Sequence, residues 1–310
     1  MILVCGEALI DFFPTGADDP LGFSGKPGGS PFNVAFGIAR QNVPSSFLSV
    51  LSTDIFGKTL RRFLINEKVD LSLTHESDRP TTLAFVQTGP DGVPEYAFIG
   101  EPAADRALTE DMLPGTLPDT IRALSFGSFS LAVEPCGTTY EALMRREQGR
   151  RVIAIDPNVR ERLIPDRRAY RERLDRLLRM ASIIKVSTED LNVLYGSEPP
   201  EDAARRWQAM GPSVIVVTDG PDGVYTLLNG IWTHFPGHRI TVADTVGAGD
   251  TFQASLLAGL ALTSQLDPDA LKNMTQERLA PIIERAITAA SITCTRRGAD
   301  LPHANELPVL

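Results

Sequence analysis

Short apolar runs alternate with amphipathic stretches along most of this chain. The runs have the length of strands, and the stretches between them repeat apolar residues with a helical period. This alternation predicts an α/β fold, a three-layer sandwich with a mostly parallel central sheet and helices on both faces. The predicted strands are Ile2 to Ile10, Phe47 to Ser52, Ala123 to Gly127, Val152 to Asp156, Ile183 to Ser187 and Val214 to Thr218.

Two segments break this alternation. Residues 12–29 are rich in Gly and Pro, and residues 81–100 have a hairpin pattern, with strands at Thr82 to Thr88 and Glu95 to Ile99 around turn residues 89–92. We predict that these segments form a small inserted β-sheet lid, which can keep water from a reacting group. A plain surface hairpin or a dimer edge is the alternative. The main domain then comprises residues 1–11, 30–80 and 101–310.

The pattern becomes antiparallel after residue 220. Gly223 to Leu228 and Ile231 to Phe235 are joined by Asn229-Gly230, which favours a tight hairpin. Two long helical stretches follow, Gly249 to Thr263 and Gln276 to Thr295.

The composition argues against several classes of protein. The 310 residues carry 39 Asp and Glu against 30 Lys and Arg, and the formal net charge of −9 is unsuited to a nucleic-acid surface. No apolar stretch approaches the roughly 18 residues of a membrane helix. The three cysteines are isolated, which argues against a disulfide framework or a zinc knuckle. We expect a soluble, cytoplasmic protein with no nucleic-acid or membrane partner.

The most informative segment is Asp244-Thr245-Val246-Gly247-Ala248-Gly249-Asp250-Thr251-Phe252. Its small residues let backbone N–H groups close around an anion, and the positive end of the following helix attracts negative charge. Asp250 stands in this cradle, where a carboxylate is poorly suited to hold phosphate but can take a proton from an attacking hydroxyl. The pattern indicates phosphoryl transfer to an alcohol. The alternative is that Asp250 caps the helix, with Gln253 completing a capping box.

A second segment, Gly28-Gly29-Ser30-Pro31-Phe32-Asn33-Val34-Ala35, begins another predicted helix. Ser30 is suited to cap this helix with Pro31 at its first position, which places Asn33 in the first turn. Asn33 and Asp11 together offer an amide and a carboxylate that can bind adjacent sugar hydroxyls. A helix start with a solvated Asn33 is the alternative.

The segment Asp156-Pro157-Asn158-Val159-Arg160 ends a predicted strand. Its proline fixes a turn that projects Asn158 and Arg160 above the sheet. The guanidinium of Arg160 can form paired hydrogen bonds with a phosphate or another polar group. A surface arginine paired with Glu161 or Asp166 is an equally good interpretation.

At these motifs the chain resembles the ribokinase-like (pfkB) carbohydrate kinases over nearly its whole length. Residues 28–35 are similar to the first signature of that family and residues 244–252 to its second. The resemblance implies a ribokinase-like fold with a β lid that often pairs in a dimer. It further implies that Asp250 is the catalytic base and that Gly247, Ala248, Gly249 and Asp250 form the anion hole. The resemblance also implies that Asp11, Gly29 and Asn33 bind the sugar.

The resemblance also extends to the nucleotide side. The loop Thr218-Asp219-Gly220-Pro221-Asp222-Gly223 is similar to the one that lies over ATP, which implies nucleotide contacts at Thr218, Gly220 and Gly223 besides Gly249. Lys185-Val186-Ser187-Thr188-Glu189-Asp190 stands where an Asn-x-x-Glu motif organises Mg²⁺ and phosphate water. Here Ser187 and Asp190 replace Asn and Glu, so Ser187 would contact ATP and Asp190 would bind Mg²⁺ through water.

A monovalent cation is a further implication of the resemblance. Thr295-Arg296-Arg297-Gly298-Ala299 is similar to the loop that borders adenine and, in many members, a cation such as K⁺. The resemblance implies that Asp244 and Val246 are the corresponding ligands in this chain.

Within the family, the segments at 29–35, 124–128 and 156–160 look most like those of bacterial fructokinases. We therefore expect an ATP-dependent kinase that converts D-fructose to D-fructose 6-phosphate. Kinases for 2-keto-3-deoxygluconate share the turn with Arg160, whose guanidinium would suit a sugar acid, and a nucleoside kinase is another alternative. A sugar sensor without activity is disfavoured, since a pure binder gains nothing from Asp250. Pocket residues from the lid, with Phe98 as a candidate, would decide the acceptor.

Overall fold

The computed structural model describes residues 1–16, 21–88, 94–164 and 166–310, without the side chains of residues 86–88 and 94–96. The turn predicted at residues 89–92 lies outside the described residues. The strands are β1 Ile2–Cys5, β2 Leu9–Pro14, β3 Phe23–Gly28, β4 Ser45–Leu48, β5 Val50–Ser52, β6 His75–Ser77, β7 Leu83–Thr88, β8 Pro94–Ile99, β9 Ala123–Gly127, β10 Val152–Asp156, β11 Ile183–Ser187, β12 Val214–Thr218, β13 Val224–Leu228 and β14 Ile231–Phe235. The α-helices are α1 Ser30–Arg40, α2 Ile55–Asn66, α3 Cys136–Glu147, α4 Arg167–Leu178, α5 Thr188–Tyr195, α6 Pro200–Gln208, α7 Ala248–Leu262, α8 Pro268–Lys272 and α9 Gln276–Cys294.

The central sheet has the strand order β14-β13-β12-β11-β10-β9-β1-β4. Strands β4, β1 and β9 to β12 are parallel, whereas β12, β13 and β14 pair antiparallel. The carboxyl ends of the parallel strands therefore meet at one edge, where open α/β sheets bind ligands. The predicted fold class, the strands β9 to β12 and the final hairpin are confirmed.

Alternate side chains of each central strand enter two separate cores. Ile2 and Val4 of β1 pack into the core with α1, α7 and α9, while Leu3 and Cys5 pack into the core with α3, α4 and α6. Both cores are built from almost wholly buried apolar residues, as expected for a parallel sheet that is covered on both faces. The sheet and these two helical layers form the predicted three-layer sandwich.

The predicted strand from Ile2 to Ile10 is wrong, because two strands of different sheets occupy this range. The chain leaves the central sheet at Gly6, which has φ 146° and lies so close to Pro31 that a Cβ would clash. Strand β2 then enters the second sheet. The range Phe47 to Ser52 is likewise divided between β4 of the central sheet and β5 of a two-stranded sheet.

The second sheet has the order β3-β2-β7-β8 and is built largely from the two segments that break the sequence pattern, although β2 begins at Leu9, before the first of these segments. Asp11 of β2 is paired with Lys26 of β3 and with Ala84 of β7, and Ala84 is paired with Phe98 of β8. Because residues paired across a sheet share a face, Asp11 and Phe98 point to the same side. We call this four-stranded sheet the lid.

Among the described residues, no helix combines the length and the apolar character that a membrane span requires.

Candidate active site

Asp250 lies where the first turns of α1 and α7 meet. Its side chain accepts a hydrogen bond from the hydroxyl of Ser30 at Oδ1, 2.6 Å, and from the side-chain amide of Asn33 at Oδ2, 2.8 Å. The helices approach closely, since a Cβ placed on Gly37 of α1 would lie 2.9 Å from the Cβ of Ala254. Asp250 is only 8% exposed, so its two oxygens are oriented by these donors rather than by bulk water.

The alternative role of Asp250 as a helix cap is not what the structure shows. The N-cap of α7 is Gly247, with φ 79° in the left-handed region, and no side chain caps the helix. Asp250 is therefore inside the first turn. Gln253, the proposed capping-box partner, is buried and its amide has no partner among the described residues.

The beginning of α7 presents free backbone donors. Ala248 donates to the carbonyl of Thr245 and Thr251 to that of Gly247. The amides of Gly249 and Asp250 have no acceptor within the described part of the chain. Unpaired N–H groups at a helix N-terminus are suited to bind an anion.

The start of α1 differs by one residue from the prediction. Gly29, with φ 103°, is the N-cap, and Ser30 is the first helical residue. A Cβ on Gly29 would lie 3.0 Å from the backbone oxygen of Glu7, so glycine is needed for both its conformation and its small size. Because Ser30 is not the N-cap, its hydroxyl is available to donate to the carboxylate of Asp250. Sequence reasoning missed this role.

Asp11 projects from the lid toward the same site. A Cβ on Gly28 would collide with its carboxylate, so Gly28 makes room for it. Burial raises the pKa of Asp11 to about 7, the charge of Arg160 opposes this shift, and that of Asp250 adds to it. These electrostatic interactions show that the three predicted residues face one region. Phe98, in the same row of the lid, contacts the ring of Phe129 with centroids 6.1 Å apart.

The turn after β10 positions Arg160. Asn158 has φ 39°, a conformation that bends the chain back over the sheet. The surface pairing considered for Arg160 is not found, because Glu161 pairs with Arg167 and the Asp166 side chain caps α4. Val159, between Asn158 and Arg160, donates its backbone amide to Oδ1 of Asp190 at 2.8 Å. This hydrogen bond connects the turn to α5.

The predicted nucleotide residues lie around the ends of β11 and β12. Ser187 is the N-cap of α5 and its hydroxyl accepts the amide of Asp190 at 3.0 Å. Thr218 ends β12, and a single 3₁₀ turn leads from Gly220 to Gly223. Gly223 has φ 106° and lies against the backbone of Phe235, where a Cβ has no space. Ser187 and Thr218 are paired at the carboxyl ends of neighbouring parallel strands, so the two predicted nucleotide segments begin side by side.

Asp244 connects the loop before α7 to the loop after α9. Its Oδ1 accepts the amide of Val246 at 3.0 Å and its Oδ2 accepts the amide of Gly298 at 2.8 Å. A carboxylate oxygen that accepts one amide keeps a lone pair, so Asp244 remains able to contribute to a cation site.

Two buried charges were not assigned a role from the sequence. Lys185 of β11 and Asp156 of β10 form an ion pair, with Nζ 2.8 Å from Oδ2 and each residue only 3% exposed. A lysine inside an apolar strand is the signal that was available, since lysine is almost never fully buried unless it is paired. Burial raises the pKa of Asp156 to about 6 against the effect of Lys185, and the carboxylates around Lys185 raise its pKa despite burial.

Comparisons with other sequences agree with this geometry. The sequence matches the family described as pfkB family carbohydrate kinase over residues 1–305. It is 40% identical over 285 residues to a fructokinase from Rhizobium leguminosarum bv. trifolii, covering 88% of this chain and 86% of that protein. It is 34% identical over 311 residues to a fructokinase from Klebsiella pneumoniae, covering 99% of this chain and 97% of that protein.

Solved structures are similar over the same length. A fructokinase from Xylella fastidiosa with bound ATP has a TM-score of 0.88 at 26% identity, covering 99% of this chain and 94% of that one. A fructokinase double mutant from Vibrio cholerae O395, in a form with bound fructose, ADP and potassium ion, has a TM-score of 0.84 at 25% identity, covering 96% of this chain and 93% of that one.

Proposed function

This chain belongs to the pfkB family of carbohydrate kinases, and we propose that it transfers the γ-phosphoryl group of ATP to the 6-hydroxyl of D-fructose. The observation that carries the proposal is the arrangement at Asp250. A carboxylate with both oxygens oriented lies beside two unpaired amides at a helix N-terminus. That combination fits a base and an oxyanion site acting on the same reacting group.

Asp250 is the proposed general base. A sugar hydroxyl that donates to its carboxylate would pass its proton to Asp250 while the oxygen attacks phosphorus. Ser30 and Asn33 hold the carboxylate in one orientation, which lowers the reorganisation needed for that transfer. The amides of Gly249 and Asp250 would then bind the oxygens of the migrating phosphoryl group, with Gly247 and Ala248 shaping the loop.

The sugar is proposed to bind between the sheet edge and the lid. Asp11 and Asn33 offer hydrogen bonds to its hydroxyls, and Gly29 allows a close approach to the backbone. Phe98 lies on the face of the lid that carries Asp11, so its ring is suited to limit the size of the acceptor. Arg160 supplies positive charge near Asp11 and completes the polar side of this pocket.

ATP is proposed to lie across Ser187, Thr218, Gly220 and Gly223, with its γ-phosphate at Gly249. Only Oδ1 of Asp190 accepts a hydrogen bond from the described residues, which leaves Oδ2 for a hydrated Mg²⁺. The bound Mg²⁺ would neutralise part of the phosphate charge.

A monovalent cation is proposed at Asp244 and Val246. The cation would add positive charge beside the loop that leads to Gly247. Assays in K⁺ and in Na⁺ at equal ionic strength test this, and equal rates with either ion would exclude a selective site.

We also propose a homodimer formed through the lids. The face of the lid opposite Asp11 carries stacked rings of Phe12 and Phe85, 4.9 Å apart, with Phe23 edge-on at 5.1 Å. Ile99, on the same face by register, is 56% exposed. Sedimentation of the wild type and of Ile99→Lys tests the proposal, since a monomeric wild type would contradict it.

Because the reaction uses ATP, we place the protein in the cytoplasm.

The activity is tested by a coupled ADP assay with purified protein and MgATP. Fructose, ribose, 2-keto-3-deoxygluconate and adenosine are compared at equal concentrations. We expect the highest kcat/KM for fructose, with phosphate at O6 by NMR. Transfer to none of the four acceptors would contradict a kinase, and a preference for 2-keto-3-deoxygluconate would identify Arg160 as a carboxylate-binding residue.

A further inference from the structure

The ion pair of Lys185 and Asp156 lies directly beneath the proposed anion hole. Lys185 and Asp156 are on neighbouring parallel strands and both extend toward the face covered by α1 and α7. This follows from the alternation of the strands, in which Ile183 and Ala154 enter the core on that face. The pair is therefore on the floor of the site rather than on the opposite helical layer.

The ammonium of Lys185 touches the anion-hole loop itself. A Cβ placed on Gly249 would lie 3.0 Å from Nζ of Lys185. Gly249 therefore lets the ammonium approach the backbone that carries one of the two unpaired amides. Nζ has three N–H donors, and Asp156 is its single acceptor among the described residues.

The hydrogen-bonding capacity of the Lys185–Asp156 pair is not fully used, so the pair is poorly suited to a role in stability alone. Oδ1 of Asp156 is buried and has no hydrogen-bond partner in the described part of the chain. Replacing a buried ion pair by neutral side chains is often neutral or favourable for stability, because removing two charges from water is unfavourable. In addition, the ammonium lies at the positive end of α7, where a cation is disfavoured unless an anion is also present.

We propose that Lys185 is a positioning residue of phosphoryl transfer, which supports the Gly249 backbone from below and supplies positive charge under the migrating group. The inference rests on the proposed kinase function. Lys185 reinforces the field of the helix N-terminus when the negatively charged phosphoryl group arrives. Asp156 holds the ammonium in place between turnovers, and its buried carboxylate fixes the direction from which the charge acts.

The test distinguishes two roles of the Lys185 charge, an effect on phosphoryl transfer and the neutralisation of the Asp156 carboxylate. Lys185→Gln keeps polar N–H donors but removes the charge, and Lys185→Met with Asp156→Asn removes both charges at once. We expect both proteins to fold, with KM for fructose within threefold of wild type and kcat lower by about 10- to 100-fold. If Lys185 only neutralises Asp156, the double variant will recover wild-type kcat, and the inference is overturned.

A second buried pair provides the matched control. Glu147 and Arg151 form an ion pair at the opposite end of β10, with side chains 3% and 13% exposed. Glu147→Gln with Arg151→Met should leave kcat unchanged. It should lower the melting temperature, because Arg151 also donates to the backbone carbonyls of Ile121 and Leu117. An equal loss of kcat in this control would show that any buried pair has the same effect and would overturn the inference.

The remaining outcomes are also decisive. A wild type without transfer to any sugar overturns both this inference and the proposed function, whereas an active wild type with unimpaired Lys185 variants overturns this inference alone. If neither Lys185 variant folds by circular dichroism and thermal melting, Lys185 is a folding residue, and the assignment is overturned as well.

Discussion

Asn33 and Asp250 are 217 residues apart in the chain, and the side-chain amide of Asn33 donates to Oδ2 of Asp250 at 2.8 Å. This contact joins the two helices that the sequence identified separately. It also means that the residue proposed to bind the sugar orients the proposed base. On the proposed roles of these two residues, one buried hydrogen bond would couple sugar binding to proton transfer.

Ser30→Ala should lower kcat about 10- to 100-fold and leave KM for fructose nearly unchanged. The substitution removes one of the two hydrogen bonds that orient Asp250, and a bond to a charged group contributes about 1.5 to 3 kcal/mol. Steady-state kinetics measure both constants. Ser72→Ala is the control, because Ser72 donates to Asp70 at 2.8 Å on the exposed surface and should not affect kcat. A Ser30→Ala enzyme with normal kcat would refute the orienting role.

The affinity for fructose should depend on pH through Asp11. Burial, opposed by Arg160, raises its pKa to about 7 in the free protein. Sugar hydroxyls bind the ionised carboxylate, so KM should rise as the pH falls below about 7, by up to about tenfold per pH unit, and should be level above it. Kinetics from pH 5.5 to 8.5 measure this.

Asp11→Asn serves as the comparison for that profile. Its KM should be higher than that of wild type at pH 8, and the rise on acidification should be absent. A wild-type KM that does not change with pH would contradict the involvement of Asp11.

Gly247→Ala should impair both folding and transfer. Gly247 has φ 79°, and a Cβ there would lie 2.7 Å from the Cβ of Ala299. We expect kcat to fall by about 100-fold or more as the amides of the loop are displaced. Gly149→Ala is the matched control, since Gly149 has φ 76° with open space around it. That variant should lose about 1 kcal/mol of stability and keep its activity. Equal kinetics for the two variants would contradict a preformed loop.

Glu7→Gln should stabilise the protein at pH 8 but not at pH 5. Burial raises the pKa of Glu7 to about 7, against hydrogen bonds from Ser130 and Ser128. Because the pKa of Glu7 in the folded state is above its ordinary value of 4.5, the folded state favours the neutral acid. Wild-type stability therefore declines as the pH rises from about 4.5 to about 7. We expect Glu7→Gln to gain about 1 to 3 kcal/mol at pH 8 in urea unfolding. The exposed Glu284→Gln should change by less than about 0.5 kcal/mol at either pH. A gain at pH 5 equal to that at pH 8 would be inconsistent with this assignment.

Much of the fold could be predicted because buried parallel strands have a strong local pattern. Strands β9 to β12 match their predicted limits, since each is a short apolar run bounded by polar residues. The break at Gly6 could not be predicted in this way. Apolar residues resume at Ala8 directly after Gly6 and Glu7, so the pattern resembles one strand. The positive φ of Gly6 and its contact with Pro31 reveal that the chain changes sheet.

The candidate site could be predicted in part for a related reason. Small residues before Asp250 and at 28–29 are a local pattern that predicts anion and ligand sites. The family resemblance that they indicated is confirmed. The hydrogen bond from Ser30 and the approach of Lys185 to Gly249 depend on how distant elements pack. A sequence pattern shows which residue types are present, but it does not show which residues from distant parts of the chain are in contact.

The most direct test of the account is phosphoryl transfer by Asp250→Asn. The amide keeps the shape of the side chain. Its oxygen can accept from Asn33 while its NH₂ group donates to the hydroxyl of Ser30, but it cannot accept the proton of the attacking hydroxyl. In the coupled assay with fructose and MgATP, we predict a loss of kcat of about 1,000-fold or more, with fructose binding by calorimetry within threefold of wild type. A folded Asp250→Asn protein whose kcat stays within tenfold of wild type would contradict the central claim that Asp250 is the base.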